Sequence, residues 1–132
     1  MSFLVDTDLL SLLERKRVPP RLTTWIQDNE ADVFLSVVSF AELDRAPATH
    51  KASLAAWLAD LRRKLAPATE ELTEPVLVRW KALLADLKVK NRTMTCEDSL
   101  IAATALFHGH TVATRNTRHF EPAGVQTVDP LA

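Results

Sequence analysis

The chain predicts an α/β domain with a mainly parallel central sheet of four or five strands flanked by helices. Three observations lead there. The short apolar runs Phe3-Leu4-Val5, Val33 to Val38 and Thr111 to Thr114 have the length and side-chain types of buried parallel strands. The stretches between them repeat apolar residues at helical spacing. Strands and helices also alternate along the chain, as crossover connections require. The 132 residues fit one domain, 1–132, long enough to hide roughly two-thirds of the unfolded surface.

Taken in order, Phe3-Leu4-Val5 is too short for a helix and is closed by Asp6-Thr7-Asp8. Leu9, Leu10, Leu12 and Leu13 then keep helical spacing until Pro19-Pro20 ends the pattern. The proline pair opens a second helix, Arg21 to Asp28, with Leu22, Trp25 and Ile26 on one face. After the strand Val33 to Val38, Ser39 and Glu42 have the spacing of a capping box. Pro47 interrupts that helix, and Lys51 to Leu65 resumes it with Leu54, Trp57, Leu58 and Leu61 inward. Arg62-Arg63-Lys64 forms a basic cluster at its end. Thr69 to Leu72 reads as an edge strand. Thr73 and Pro75 start a helix that runs to about Lys90. Thr95 caps the next, whose Ala102, Ala103 and Ala105 allow close packing on a sheet and whose end is Gly109. Thr111 to Thr114 and Gln126 to Val128 are the last strands. Trp25, Trp57 and Trp80 lie on leucine-rich helices and read as core. His50, His108, His110 and His119 fall on or near element ends and read as solvated.

Composition excludes several functions. Two glycines leave no room for a glycine-rich phosphate loop. Cys96 is the single cysteine, so neither an intrachain disulfide nor a cysteine-built zinc site can form, and a reducing, cytoplasmic setting is expected. A net charge of −1 argues against a cationic coat for nucleic acid. Asp6 and Asp8 precede any long apolar run, unlike a secretory signal, and no stretch has the length to span a bilayer, so no membrane partner is expected.

What remains is a set of polar residues at element boundaries: Asp6 and Asp8, Glu42, Asp98 and Asn116. In an open α/β sheet, ligands sit beyond the carboxyl ends of the strands, so groups far apart in sequence meet there. Converging carboxylates suit a hard cation such as Mg²⁺ or Mn²⁺. Each residue also has a plain structural role. Asp6, Thr7 or Asp8 suits a helix cap. Glu42 completes the capping box, and Asp98 or Glu97 complements a helix dipole. Their shared placement favours a metal centre.

The segments Phe3 to Leu13 (FLVDTDLLSLL), Leu35 to Leu43 (LSVVSFAEL), Thr73 to Trp80 (TEPVLVRW) and Glu97 to Phe120 (EDSLIAATALFHGHTVATRNTRHF) resemble PIN-domain proteins. Within that family the likeness is to toxins of VapBC-type toxin–antitoxin modules. It follows the same order over nearly the whole chain and is most specific from Asp98 to Asn116. The resemblance implies a Mg²⁺- or Mn²⁺-dependent endoribonuclease that cuts RNA, with tRNA or rRNA as targets, until a small cognate antitoxin binds. It also implies a homodimer. On this pattern Asp6, Glu42 and Asp98 match the family acids, with Asp6 and Asp98 on the metal and Glu42 acting through water or as a base. Thr114 matches a hydroxyl beside the site, and Thr7 and Asp8 lie next to it. Asn116 stands where many members carry a fourth acid, and Asp8 where asparagine is more common. Arg115, Lys88, Lys90 and Arg92 are the candidate RNA contacts. Two rival readings are a haloacid-dehalogenase-like phosphohydrolase using Asp6 and Asp8, and a catalytically degenerate PIN scaffold.

Overall fold

The computed structural model describes residues 1–14, 17–44 and 51–132, the side chains of 51–55 and 58 excepted. Its strands are β1 (Phe3–Val5), β2 (Val33–Ser36), β3 (Thr69–Glu70), β4 (Thr111–Ala113) and β5 (Thr127–Val128). They form one sheet in the order β3-β2-β1-β4-β5, with every neighbouring pair parallel. Leu4 of β1 pairs with Phe34 on one side and with Val112 on the other. The chain leaves β1 toward β2 and β3, then returns to β1's other edge as β4. The carboxyl ends of β1 and β4 therefore flank the point where strand order reverses, the usual ligand crevice of such sheets.

Helices cover both faces. They are α1 (Thr7–Glu14), α2 (Pro20–Asp28), α3 (Val37–Leu43), α4 (Lys51–Lys64), α5 (Glu74–Lys90) and α6 (Cys96–His108). Side-chain alternation along β1 divides the core in two. Phe3 and Val5 join the cluster with Leu9, Leu10 and Leu22 of α1 and α2, while Leu4 joins Leu83, Leu87 and Ile101 of α5 and α6. α3 feeds both layers, through Phe40 and Val38 respectively. The tryptophans pack as expected. Trp25 meets Phe3 edge-on at 4.9 Å, Trp57 packs against the first cluster, and Trp80 donates its indole N–H to Ser99 Oγ at 2.8 Å.

Several boundaries move. The expected strand Val33 to Val38 stops at Ser36, whose hydroxyl accepts the Val38 N–H at 3.1 Å and caps α3. The cap bond at Ser36 outweighs the strand preference of the two valines that follow. Ser39, expected as that cap, instead lies buried inside α3, which dissolves the capping-box account of Glu42. Thr95 caps α6 by accepting the Asp98 N–H at 3.1 Å, and Gly109 ends it at φ 75°, both as expected. Pro47 and His50 lie outside the described residues, as do the side chains of Leu54 and Leu58.

The histidine reading needs correction. His119 is exposed, but His110 is buried, stacked on Phe34 at 4.6 Å between ring centroids, with Nδ1 2.6 Å from Ser2 Oγ. His108 reaches the carboxylate of Glu70. His108 is exposed, as expected, while the left-handed turn at Gly109 places His110 against β2 instead of releasing it to water.

Leu4 is fully buried on the central strand. Leu4→Ala should lower the unfolding free energy by about 2–5 kcal/mol in a denaturant titration. A loss under about 1 kcal/mol would mean the sheet's second face is loosely packed.

Candidate active site

The carboxyl end of β1 supplies Asp6, 4% exposed. Its backbone N–H donates to Ala113 O at 3.0 Å, so the residue is held in register with β4. Oδ1 accepts the Leu9 N–H at 2.8 Å, which makes Asp6 the cap of α1, and Oδ2 accepts the Thr114 hydroxyl at 2.5 Å. The cap role and a metal role coexist, because each carboxylate oxygen offers two lone-pair directions and these bonds use one apiece.

Glu42, on α3, has its Oε1 2.6 Å from Thr7 Oγ1, which also lies 2.9 Å from Ser39 Oγ. The single hydroxyl hydrogen of Thr7 goes to the carboxylate, and the Ser39 contact steadies it. Asp98 sits in the first turn of α6, with Oδ2 3.8 Å from Nδ1 of His119. Asp8 stands at the rim. Its Oδ2 accepts from Arg115 Nε at 2.8 Å and from Asn116 Nδ2 at 3.0 Å. The Asn116 N–H also donates to Thr114 Oγ1 at 2.9 Å, so Thr114 ties Asp6 to the chain beyond β4.

The acids feel one another. Burial, partly offset by its two hydrogen bonds, pushes the Asp6 carboxyl up to about 6, and the negative charges of Asp8 and Asp98 add to the rise. Burial also raises Glu42, against the Thr7 hydrogen bond, with Glu97 and Asp98 contributing. Asp98 is raised by burial and by Glu97, against Thr95 and His119. The charge of Asp98 thus reaches both Asp6 and Glu42. Sequence reasoning missed Glu97, which it treated as an ordinary first-turn acid. The signal was its position beside Asp98, where a second acid adds charge to an already acidic helix start.

Two clefts open here. One, of about 530 Å³, is lined mostly by apolar side chains of α3 and α6 together with Glu42, Glu97 and Cys96. The other, of about 380 Å³, lies between Thr93, Met94, Thr95, Asp98 and His119. Of the expected RNA contacts, Arg115 is engaged by Asp8. Lys90 pairs with Asp86 at 2.9 Å, and Lys88 and Arg92 are exposed near the start of the loop to α6.

The PIN-domain model matches residues 3–125. The chain belongs to the PIN-domain family. Among its relatives is the VapC ribonuclease Y4jK of Sinorhizobium fredii, 29% identical over 140 residues, covering 96% of this chain and 95% of the relative. The toxin FitB of Neisseria gonorrhoeae is 28% identical over 138 residues, covering 96% of each. The crystal structure of FitAcB from the same organism superposes with a TM-score of 0.85 at 29% identity, covering 98% of both chains. The five parallel strands and their flanking helices are those of this PIN-domain fold.

The site's donors are carboxylate, amide and hydroxyl oxygens, the set a hard divalent ion prefers. Among the described residues, no three His, Cys, Asp or Glu side chains are grouped to hold an ion unaided. An ion of the Mg²⁺ type takes one or two carboxylates and keeps several waters.

The raised Asp6 pKa has a definite consequence for stability. Between its unfolded value of 3.8 and about 6, the folded protein binds more protons than the unfolded chain. This group's contribution to stability therefore falls as pH rises through that window, by an amount of order 2–3 kcal/mol. Asp6→Asn should flatten that part of the pH–stability profile and raise Tm at pH 7. A Tm that drops at pH 7 would show that the ionised carboxylate is not a burden to the fold.

Proposed function

We propose that this PIN domain is a metal-dependent endoribonuclease acting as the toxin of a type II toxin–antitoxin pair. The observation that supports the reading is that the charge of Asp98 acts on both Asp6, at the carboxyl end of β1, and Glu42, on α3. The VapC and FitB relatives support the activity and the toxin role.

Asp6 and Asp98 hold the ion, with Thr114 fixing the carboxylate of Asp6 and Thr95 anchoring the helix turn that carries Asp98. Bound Mg²⁺ or Mn²⁺ supplies Lewis acidity at the scissile phosphate and eases deprotonation of an attacking water. Glu42 is the base: its carboxylate is aimed by Thr7, and burial moves its pKa toward neutrality, where a general base is most effective. Asn116 offers a neutral oxygen where other members place an acid, so the site carries one metal more readily than two. Arg115, with Lys88, Lys90 and Arg92, guides the RNA backbone. A cognate antitoxin and a homodimer complete the assembly, in the cytoplasm, with tRNA or rRNA as the targets.

The test is cleavage of total tRNA and rRNA with added Mn²⁺. Wild type should cut and EDTA should stop it. Asp6→Ala should lose more than about a hundredfold in rate, and Thr114→Val about tenfold. Failure of the wild type to cut any RNA with metal present would reduce the chain to a PIN scaffold.

A further inference from the structure

We propose that His108, His110 and Glu70 form a second cation site, selective for a borderline divalent ion such as Zn²⁺. His110 and Ser2 lie at the amino-terminal ends of β4 and β1, and Glu70 ends the edge strand β3, on the far side of β2 from β1. His108 closes α6, His110 precedes β4, and Gly109 between them holds φ 75° with open space around it. That left-handed turn sends both imidazoles to the same side. Their Nε2 atoms converge on one oxygen, Glu70 Oε2, at 2.5 Å from His108 and 3.8 Å from His110.

The pocket is built and left unfinished. The His110 side chain is 5% exposed and that of Glu70 14%. Both His110 Nε2 and Glu70 Oε2 are buried without a hydrogen-bond partner. His108 Nε2 and Glu70 Oε2 are 2.5 Å apart, an ion pair when the ring is protonated, and the two part when an ion enters between them. Buried polar atoms facing each other without a bond are costly, and a bridging ion removes the cost. On the far side of the ring, His110 Nδ1 is held by Ser2 Oγ at 2.6 Å, and Phe34 stacks on its face. This is the outer support that fixes a ligating histidine's orientation.

The dimensions fit. Two ligands on one tetrahedral Zn²⁺ stand about 3.3 Å apart, and two imidazoles on it have centroids about 5.2 Å apart. The observed Nε2–Oε2 separations, 2.5 and 3.8 Å, straddle the first figure, and the rings are 5.7 Å apart. As the side chains stand, no ion is enclosed. Moving the Glu70 carboxylate by about 1 Å, away from His108 toward His110, equalises the distances. The partly exposed His108 leaves a fourth position open to water. Imidazole nitrogens favour Zn²⁺ over Mg²⁺, so the two sites take different ions.

Calorimetric titration of the full chain with Zn²⁺ tests this, with circular dichroism confirming each variant's fold. His108→Ala is chosen because His108 is partly exposed, and Glu70→Gln because it preserves shape. The proposal expects one Zn²⁺ per chain in wild type and Asp98→Asn, weakened at least about tenfold by His108→Ala and by Glu70→Gln. A site lost in Asp98→Asn, or unchanged in the histidine and glutamate variants, overturns it. So does an absence of Zn²⁺ binding in the wild type, which would leave the cluster holding a shared proton only. RNA cleavage reads the carboxylate centre alone, so the two proposals fail independently.

Discussion

Carboxylates gathered near the ends of parallel strands repel one another, and among the described residues this region pairs them with fewer cations than acids. Asp6, Glu42 and Asp98 are each raised by burial and by another acid, while among the described pairings the region has Arg115, bound to Asp8, and the imidazole of His119 beside Asp98. The fold bears that repulsion because its other parts hold the acids rigidly. Strand register ties Asp6 to β4, a cap bond ties it to α1, and Thr114 ties it to the segment that carries Asn116. A divalent ion is the direct way to relieve such a cluster. Structure and proposed chemistry therefore meet in one electrostatic deficit.

The same logic explains the hydroxyl residues around the site. Thr7 and Thr114 each donate to a carboxylate oxygen, lowering the energy of its charged form without adding a positive charge that would compete with the ion. Asp8 and Asn116 are in contact, so the acid that one position lacks has a carboxylate neighbour in the other. Arg115 clamps that carboxylate at the rim and holds the arrangement at the mouth of the crevice.

Much of this was legible in the residues. Three short apolar runs placed β1, β2 and β4, because burial on both faces leaves a parallel strand few other sequences; the polar residues after them and at the head of α6 singled out Asp6, Glu42, Asn116 and Asp98 as candidates. The misreadings share a cause. Ser36 and Ser39 both suit a cap, and only the bond to Val38 separates them. His110 sits at an element end, where solvent is the default, yet the turn at Gly109 packs it against Phe34. Local pattern reports which residues lie near a boundary. Tertiary contact decides which way they face.

The central claim is that one hard cation sits among the strand-end acids. Backbone NMR of the metal-free protein with substoichiometric Mn²⁺ tests it most directly, because paramagnetic broadening marks the nearest amides. The account predicts early loss of the signals of Asp6, Thr7, Asp98, Ser99 and Thr114, while Leu83 and Leu87 on α5 persist. Uniform broadening, or loss centred away from Asp6 and Asp98, would contradict it.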